Sequence, residues 1–152
     1  MRDVTETLKE QLRAEITDAL RAGDKVRLGA LRMLSASVTN REKELLHELS
    51  DDELREVAGR EVKKRNESIE AFDGAGRTEL ADKERAERTV LEPYAPRQLD
   101  EAQVDALIDE AFAATGATGT QDLGAVMGFV MARAKGQVDG SVVQRKVRER
   151  LV

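Results

Sequence analysis

Residues 49–58 read LSDDELREVA, the clearest helix start in this chain. Ser50 and Glu53 have the spacing of a capping box, in which each side chain accepts a hydrogen bond from the other residue's backbone amide. Leu49 and Leu54 flank the box and can pack on each other as a hydrophobic staple. Apolar residues then recur at helical spacing, so the stretch predicts a long amphipathic helix.

Two helices are predicted before this one. The first begins behind an Asp3 N-cap, with Glu6 in the capping-box position, and stops at Gly23. Asp24 caps the second, which is predicted to run to about Leu46 because no residue before that point breaks a helix. The predicted apolar faces are Val4, Leu8, Leu12, Ile16 and Leu20 in the first helix, and Leu28, Leu31, Leu34 and Val38 in the second.

The third helix is predicted to continue to Phe72, where Asp73-Gly74-Ala75-Gly76 turns the chain. A fourth helix is predicted from about Thr78 to Leu91. Its apolar face is small, so we expect it to be mostly exposed or to pack along a narrow seam. That face consists of Leu80, Ala81, Val90 and Leu91.

The segment PYAP at residues 93–96 is predicted to be non-helical. Each proline removes a backbone donor and biases the preceding residue toward extended geometry. We place the domain boundary here, with an N-terminal bundle of about four helices over residues 1–93 and a C-terminal three-helix subdomain over residues 94–152. No strand pattern appears anywhere, so the predicted fold class is all-α.

The C-terminal subdomain has its own helix signals. Asp100 and Gln103 form a second capping box, and the helix behind it is predicted to end at Thr115-Gly116. A sixth helix follows, and Asp139 is predicted to cap the seventh. The apolar faces of the three helices are Val104, Leu107, Ile108 and Ala111; Leu123, Val126, Met127 and Val130; and Val143, Val147 and Leu151.

Composition narrows the classes of function. The chain has 152 residues and no cysteine, which excludes disulfides, thiolate zinc sites and a cysteine nucleophile, and it fits a reducing compartment. The start of the chain is polar where a signal peptide needs an apolar run, and no stretch is long and apolar enough for a membrane span. We therefore expect a cytoplasmic protein that has no contact with a membrane.

Charge is distributed unevenly along the chain. The net charge of −5 argues against general binding of polyanions. The last thirty residues, however, carry 6 basic and 2 acidic residues, and they follow a segment at residues 93–122 with 1 basic and 6 acidic residues. The basic segment indicates either a solvated helix face or a surface for an anionic partner.

Small residues form a stripe on the predicted sixth helix. Gly124, Gly128 and Ala132 are spaced by four residues, so another helix or a ligand backbone could approach closely there. We favour tight helix packing in a subdomain with little core volume. Gly136 is predicted to be the C-cap of this helix, and Gly140 to lie just inside the next one.

Several motifs, in order along the whole chain, resemble the GatB/YqeY family. They are A-G-D-K at residues 22–25 before L-R-M-L at residues 31–34, K-x-R-x-x-S-I-E-x-F at residues 63–72, A-G-R at residues 75–77, Y-x-P-x-Q-L at residues 94–99, and an MG…K-G-x-x-D-G pattern at residues 127–140. The chain is identified on these motifs as a stand-alone member of that family. It is similar to the tail of the B subunit of the tRNA-dependent amidotransferase.

The resemblance implies a binding role. In the amidotransferase the larger part of the B subunit carries the chemistry, and the tail contacts tRNA. Carbon–nitrogen ligase activity with glutamine as amido donor is therefore associated with the family, whereas this chain resembles the tail alone. The sequence contains no G-x-x-x-x-G-K phosphate loop and a single histidine, so we assign no catalytic residue, no metal site and no cofactor.

Two kinds of partner are consistent with the sequence. For tRNA, or a tRNA-handling complex in translation, the predicted binding residues are Arg133, Lys135, Arg145, Lys146 and Arg148 near the C-terminus, with Lys63, Lys64 and Arg65 as a second basic run. The alternative is a protein–protein adaptor. In that interpretation the glycine-backed face and the nearby Met127, Phe129 and Met131 bind a partner helix or a protein tail.

Overall fold

A computed structural model describes residues 6–151, and every regular element within them is helical. The all-α prediction is confirmed. The chain divides into two compact units between Pro96 and Arg97, close to the predicted boundary. Independent folding of the predicted domains 1–93 and 94–152 stays a prediction. The helices are α1 Leu8–Ala22, α2 Lys25–Leu45, α3 Asp51–Gly74, α4 Thr78–Leu91, α5 Glu101–Thr115, α6 Leu123–Ala134 and α7 Gly140–Arg150.

The start of α1 differs from the prediction. The N-cap is Thr7, whose side chain accepts a hydrogen bond from the Glu10 amide, so Glu6 precedes the helix. Asp3 lies outside the described residues. The amide of Leu8 also donates to Asp51 Oδ1 at 2.9 Å, so the first turn of α3 satisfies a free amide of α1. That contact depends on the tertiary fold, which local sequence does not reveal.

The apolar face of α1 rotates along the helix. Leu8 and Leu12 are buried, but Leu20 is 57% exposed and Ala19 takes its place in the core. A step of four residues turns about 400°, so three such steps from Leu8 carry Leu20 roughly 120° around the helix. The predicted place of Leu20 on the buried face was wrong for this reason.

Helices α2 and α3 begin as predicted. Asp24 accepts from the Arg27 amide at 3.1 Å, and Ser50 and Glu53 form both hydrogen bonds of the capping box. Between the two helices, Leu46 caps α2 in the left-handed conformation, with φ 61°, and its side chain is 89% exposed. A leucine there carries backbone strain without the benefit of burial.

Leu46→Gly is therefore expected to raise the free energy of unfolding by about 0.5–1 kcal/mol, because glycine adopts this conformation without a Cβ clash. Leu46→Ala is the matched control, since alanine keeps the strained Cβ. Urea unfolding of the three proteins measures the effect, and equal midpoints for glycine and alanine would contradict it.

Helix α4 packs on α3 along the narrow seam that its small apolar face predicts. Ala81 and Leu91 are buried, and between them an ion cluster centred on the buried Arg65 crosses the seam. Arg65 of α3 is 7% exposed, and its Nε lies 3.4 Å from Glu84 Oε2 and 3.1 Å from Glu87 Oε2. The two helices are thus joined by charge as well as by apolar contact.

Residues 93–96 close the N-terminal unit. The prediction that this segment is wholly non-helical was wrong, because Glu92–Tyr94 forms one turn of 3-10 helix, in which the proline needs no donor. Tyr94 is 1% exposed and donates its hydroxyl to Glu15 of α1. Pro96 packs on Gly59, where a Cβ would lie 3.2 Å from the proline Cδ.

The C-terminal unit is a three-helix bundle around a core of its own. The Asp100–Gln103 capping box, the left-handed Gly116 and the Asp139 cap of α7 are all present as predicted. Gly136 lies one residue beyond the C-cap of α6, which is Lys135, and it takes φ 77°. The buried core residues are Val104, Ile108, Ala111, Val126, Val130, Val143, Val147 and Leu151.

The chain entering this unit is held against the turn between α6 and α7. The Leu99 amide donates to the Gln137 carbonyl at 2.8 Å, and the Gln98 side chain donates to the Gly136 carbonyl at 2.7 Å. Across residues 6–151, no helix combines the length and the hydropathy that a membrane span requires.

Candidate nucleic-acid interface

The basic residues between positions 133 and 150 fall into two groups. The first group, the predicted Lys146 together with Arg150, is paired with acids of α5. Lys146 Nζ lies 3.0 Å from Glu101 Oε1 and 2.9 Å from Asp105 Oδ1. Arg150 Nη1 lies 2.7 Å from Asp109 Oδ1. We call these five residues the charge ladder. Hydrogen bonds to Asp105 and then to Glu101 raise the pKa of Lys146 above its usual value.

The charge ladder explains why an acidic segment precedes a basic one in the sequence. The two rows run along adjacent helices, and the acids of α5 neutralise two of the cations of α7. Lys146 is only 18% exposed at its side chain, so it is poorly placed for a phosphate. The sequence offered a signal for this pairing, because both rows repeat every four residues.

The second group comprises Arg133, Lys135, Arg145 and Arg148, which we call the exposed cations. Arg145 has one distant partner, Glu149 Oε1 at 3.8 Å, and its side chain is 64% exposed. The other three form no ion pair with any residue in the described range 6–151. On α7, Arg145 and Arg148 point roughly 160° and 100° away from the core-facing Val147, so both face solvent.

The basic run of the N-terminal unit separates in the same way. Arg65 is buried against Glu84 and Glu87, so its guanidinium is not available to a phosphate. Lys64 lies 3.3 Å from Glu61 Oε1, and Lys63 is exposed without an ion pair in the described residues. We therefore leave Arg65 out of any proposed interface.

A cleft of about 220 Å³ between α2 and α3 places other cations beside Lys64. The binding residues predicted from the sequence include neither Arg41 nor Arg60, which both line this cleft. The missed signal was the short connection between the two helices, which makes them antiparallel and sets two four-residue rows face to face. The rows are Ser37, Asn40, Arg41 and Glu44 on α2, and Val57, Arg60, Glu61 and Lys64 on α3.

The small-residue stripe of α6 faces open space. Gly124, Gly128 and Ala132 are exposed, and a Cβ added at either glycine would meet nothing within 4 Å in the described structure. The predicted tight helix packing was wrong, because Val126 and Val130, on the opposite side of α6, form its core face. The glycine-backed groove expected for a partner helix is thus a plain exposed surface.

The aromatic side chains of this unit are stacked with arginines. The guanidinium carbon of Arg133 lies 3.9 Å from the Phe129 ring centroid, and that of Arg150 lies 4.4 Å from the Phe112 centroid. Phe129 and Met127 both pack partly against the core, and Met127 was part of the apolar face predicted for α6. They are therefore not a free apolar patch.

The chain was compared with known protein families. The profile of the family described as Yqey-like protein matches residues 9–151. The chain belongs to the YqeY-like family. The resemblance identified from the motifs is confirmed, and the match spans both units of this YqeY-like protein.

A curated relative of the YqeY-like chain comes from Pyrenophora tritici-repentis (strain Pt-1C-BFP). It is named altered inheritance of mitochondria protein 41, mitochondrial, and it is 31% identical over 142 residues. The alignment covers 91% of this chain and 78% of the relative. The name places that relative in mitochondria, whereas the cytoplasmic location of the present protein stays a prediction.

Proposed function

We propose that this YqeY-like protein binds tRNA, or a tRNA-handling complex, through the exposed cations of its C-terminal unit, and that it carries out no chemistry itself. The observation that supports the proposal most is that only some of the cations of that unit are paired with its acidic residues. Acidic residues of α5 form ion pairs with Lys146 and Arg150, whereas the charged groups of the four exposed cations are accessible from solvent. The similarity to the amidotransferase tail supplies tRNA as the polyanion.

The mode of binding follows from the chemistry of these residues. Lysine and arginine that neutralise phosphates release condensed counterions, which makes the affinity fall steeply with salt. Four such contacts predict a slope of log K against log salt of roughly −3 to −4. Contacts of this kind recognise the shape and the phosphates of a folded RNA and carry little information about base sequence.

Arg145→Ala with Arg148→Ala is expected to weaken tRNA binding about tenfold near physiological salt and to make the salt slope shallower by about two. The matched control is Lys146→Ala, which removes a charge from the same helix. In the wild type, Lys146 is already paired with Glu101 and Asp105. The affinity of the Lys146→Ala variant for tRNA should therefore stay within about twofold of the wild-type affinity.

Fluorescence anisotropy of labelled total tRNA over a salt series measures all three proteins. Equal loss in Lys146→Ala and in the double variant would show that the charge ladder does not protect Lys146. If the wild type does not bind at low salt, the tRNA proposal is wrong.

The second candidate is a protein–protein adaptor, and one observation favours it. A cleft of about 390 Å³ opens between the starts of α5 and α7. Its walls combine apolar side chains, among them Leu99 and the 37% exposed Val142, with charged ones that include Arg145 and Lys146. An apolar segment of a partner would bind there with little dependence on salt. The salt series thus distinguishes the two candidates, because only the RNA contact weakens steeply.

A further inference from the structure

We propose that Arg133 and Phe129 form a stacking platform for one unpaired nucleobase of RNA. The inference rests on the proposed function and adds to it, because the exposed cations alone would contact only phosphates. It gives this surface a class of target: folded RNA that presents a base outside a duplex, as in a loop.

The platform is ordered before any ligand binds. Phe129 is half-buried and packs against the core of the C-terminal unit. Arg133 lies one helical turn further along, and its guanidinium carbon is 3.9 Å from the ring centroid. The ring therefore holds the guanidinium at the surface, at a position where Arg133 is exposed to solvent.

Comparison with the second arginine–phenylalanine pair shows what is particular to Arg133. Arg150 also stacks, over Phe112 at 4.4 Å, but its Nη1 is bound to Asp109 at 2.7 Å. That arginine is occupied by structural contacts. Arg133 has no carboxylate partner within residues 6–151, so its ring contact orders the side chain without using its charge.

The surroundings leave room for a planar ligand. Gly128 and Ala132, which are exposed neighbours on α6, present no side chain larger than a methyl group. Lys135 follows two residues after Arg133 and forms no ion pair in the described structure, so it can contact the phosphate next to a stacked base. Single-stranded bases commonly stack on guanidinium planes, and such stacking tolerates any base.

Arg133→Lys separates the stacking plane from the charge, because lysine keeps the charge and lacks the plane. Two labelled RNAs are compared, a stem–loop with an unpaired loop and a blunt duplex of equal length. We expect Arg133→Lys to weaken stem–loop binding about tenfold and to leave duplex binding within about twofold. Phe129→Leu keeps apolar volume but removes support for the plane, and it should show the same selective loss.

The outcomes separate this inference from the proposed function. If Arg133→Lys binds the stem–loop as the wild type does, or weakens both RNAs equally, the platform is overturned while RNA binding stands. If the wild type binds neither RNA, both proposals are overturned. Thermal unfolding of Phe129→Leu identifies any loss of folding, and Arg133→Lys, at an exposed position, decides the question without that variant.

Discussion

Arg65→Met is expected to lower the free energy of unfolding by about 3–5 kcal/mol. Arg65 is 7% exposed, and its guanidinium lies between Glu84 and Glu87, whose side chains are 19% and 14% exposed. Methionine fills similar volume but leaves two nearly buried carboxylates beside each other with no cation between them. Urea denaturation at neutral pH measures the loss.

Two further variants show that the effect comes from charge. Adding Glu84→Gln and Glu87→Gln to Arg65→Met should restore at least about 2 kcal/mol, because the unpaired charges are removed. Lys63→Met, which removes an exposed cation two residues away, should change stability by less than about 0.5 kcal/mol. Wild-type stability of Arg65→Met would instead mean that the cluster contributes no net stabilisation and that Arg65 can be spared for another role.

Tyr94→Ala is expected to destabilise the N-terminal unit by about 3–5 kcal/mol, the usual range for removal of a buried aromatic ring. Tyr94 is 1% exposed and lies in the core formed by α1 to α4. Tyr94→Phe keeps the ring and loses only the hydrogen bond to Glu15. It should therefore cost about 1 kcal/mol, since Arg27 Nη2 remains 3.4 Å from the Glu15 carboxylate.

Ionisation of Tyr94 also predicts that the free energy of unfolding depends on pH. Burial and then the hydrogen bond to Glu15 raise the pKa of Tyr94 above its ordinary value of 10.0. The unfolded chain loses this proton near pH 10 and the folded chain does not, so stability is unaffected below that pH and falls above it. The fall should approach about 1.4 kcal/mol per pH unit.

In Tyr94→Phe, the free energy of unfolding should not show this part of the decrease above pH 10, because phenylalanine does not ionise. Urea unfolding of the wild type and of Tyr94→Phe from about pH 8 to pH 11 tests this prediction. The difference between the two plots of stability against pH removes the contribution of other titrating groups. Parallel curves would show that the Tyr94 hydroxyl ionises as easily in the folded protein as in the unfolded chain.

Helix boundaries that depend on local chemistry were predictable. The capping boxes at Ser50 and Asp100 and the bounds of α4 agree with the sequence, because each depends on residues close together in the chain. The start of α1 was not predictable in this way. Asp3 and Thr7 are both good N-caps, and Thr7 is used in a fold where Asp51 of α3 also meets the first turn.

The candidate site was predictable in composition but not in pairing. The basic segment was evident from the sequence, but the sequence did not show which of its cations form ion pairs. Lys146 and Arg148 lie two residues apart and differ in this respect. Lys146 is bound by acids more than forty residues earlier in the chain, whereas Arg148 faces solvent. Likewise, the spacing of the glycines on α6 could not reveal which side of that helix faces the core.

The charge ladder also bears on how the C-terminal unit approaches a partner. Residues 97–152 contain seven basic and eight acidic residues, a net charge of −1. Net attraction to a polyanion is therefore absent, but the signs are segregated, which gives the unit an electric dipole. For the proposed RNA partner, we expect such a dipole to rotate the unit during diffusional encounter, so that its cationic side arrives first. We then expect association with that partner to be accelerated in one orientation and adhesion to other polyanions to stay low.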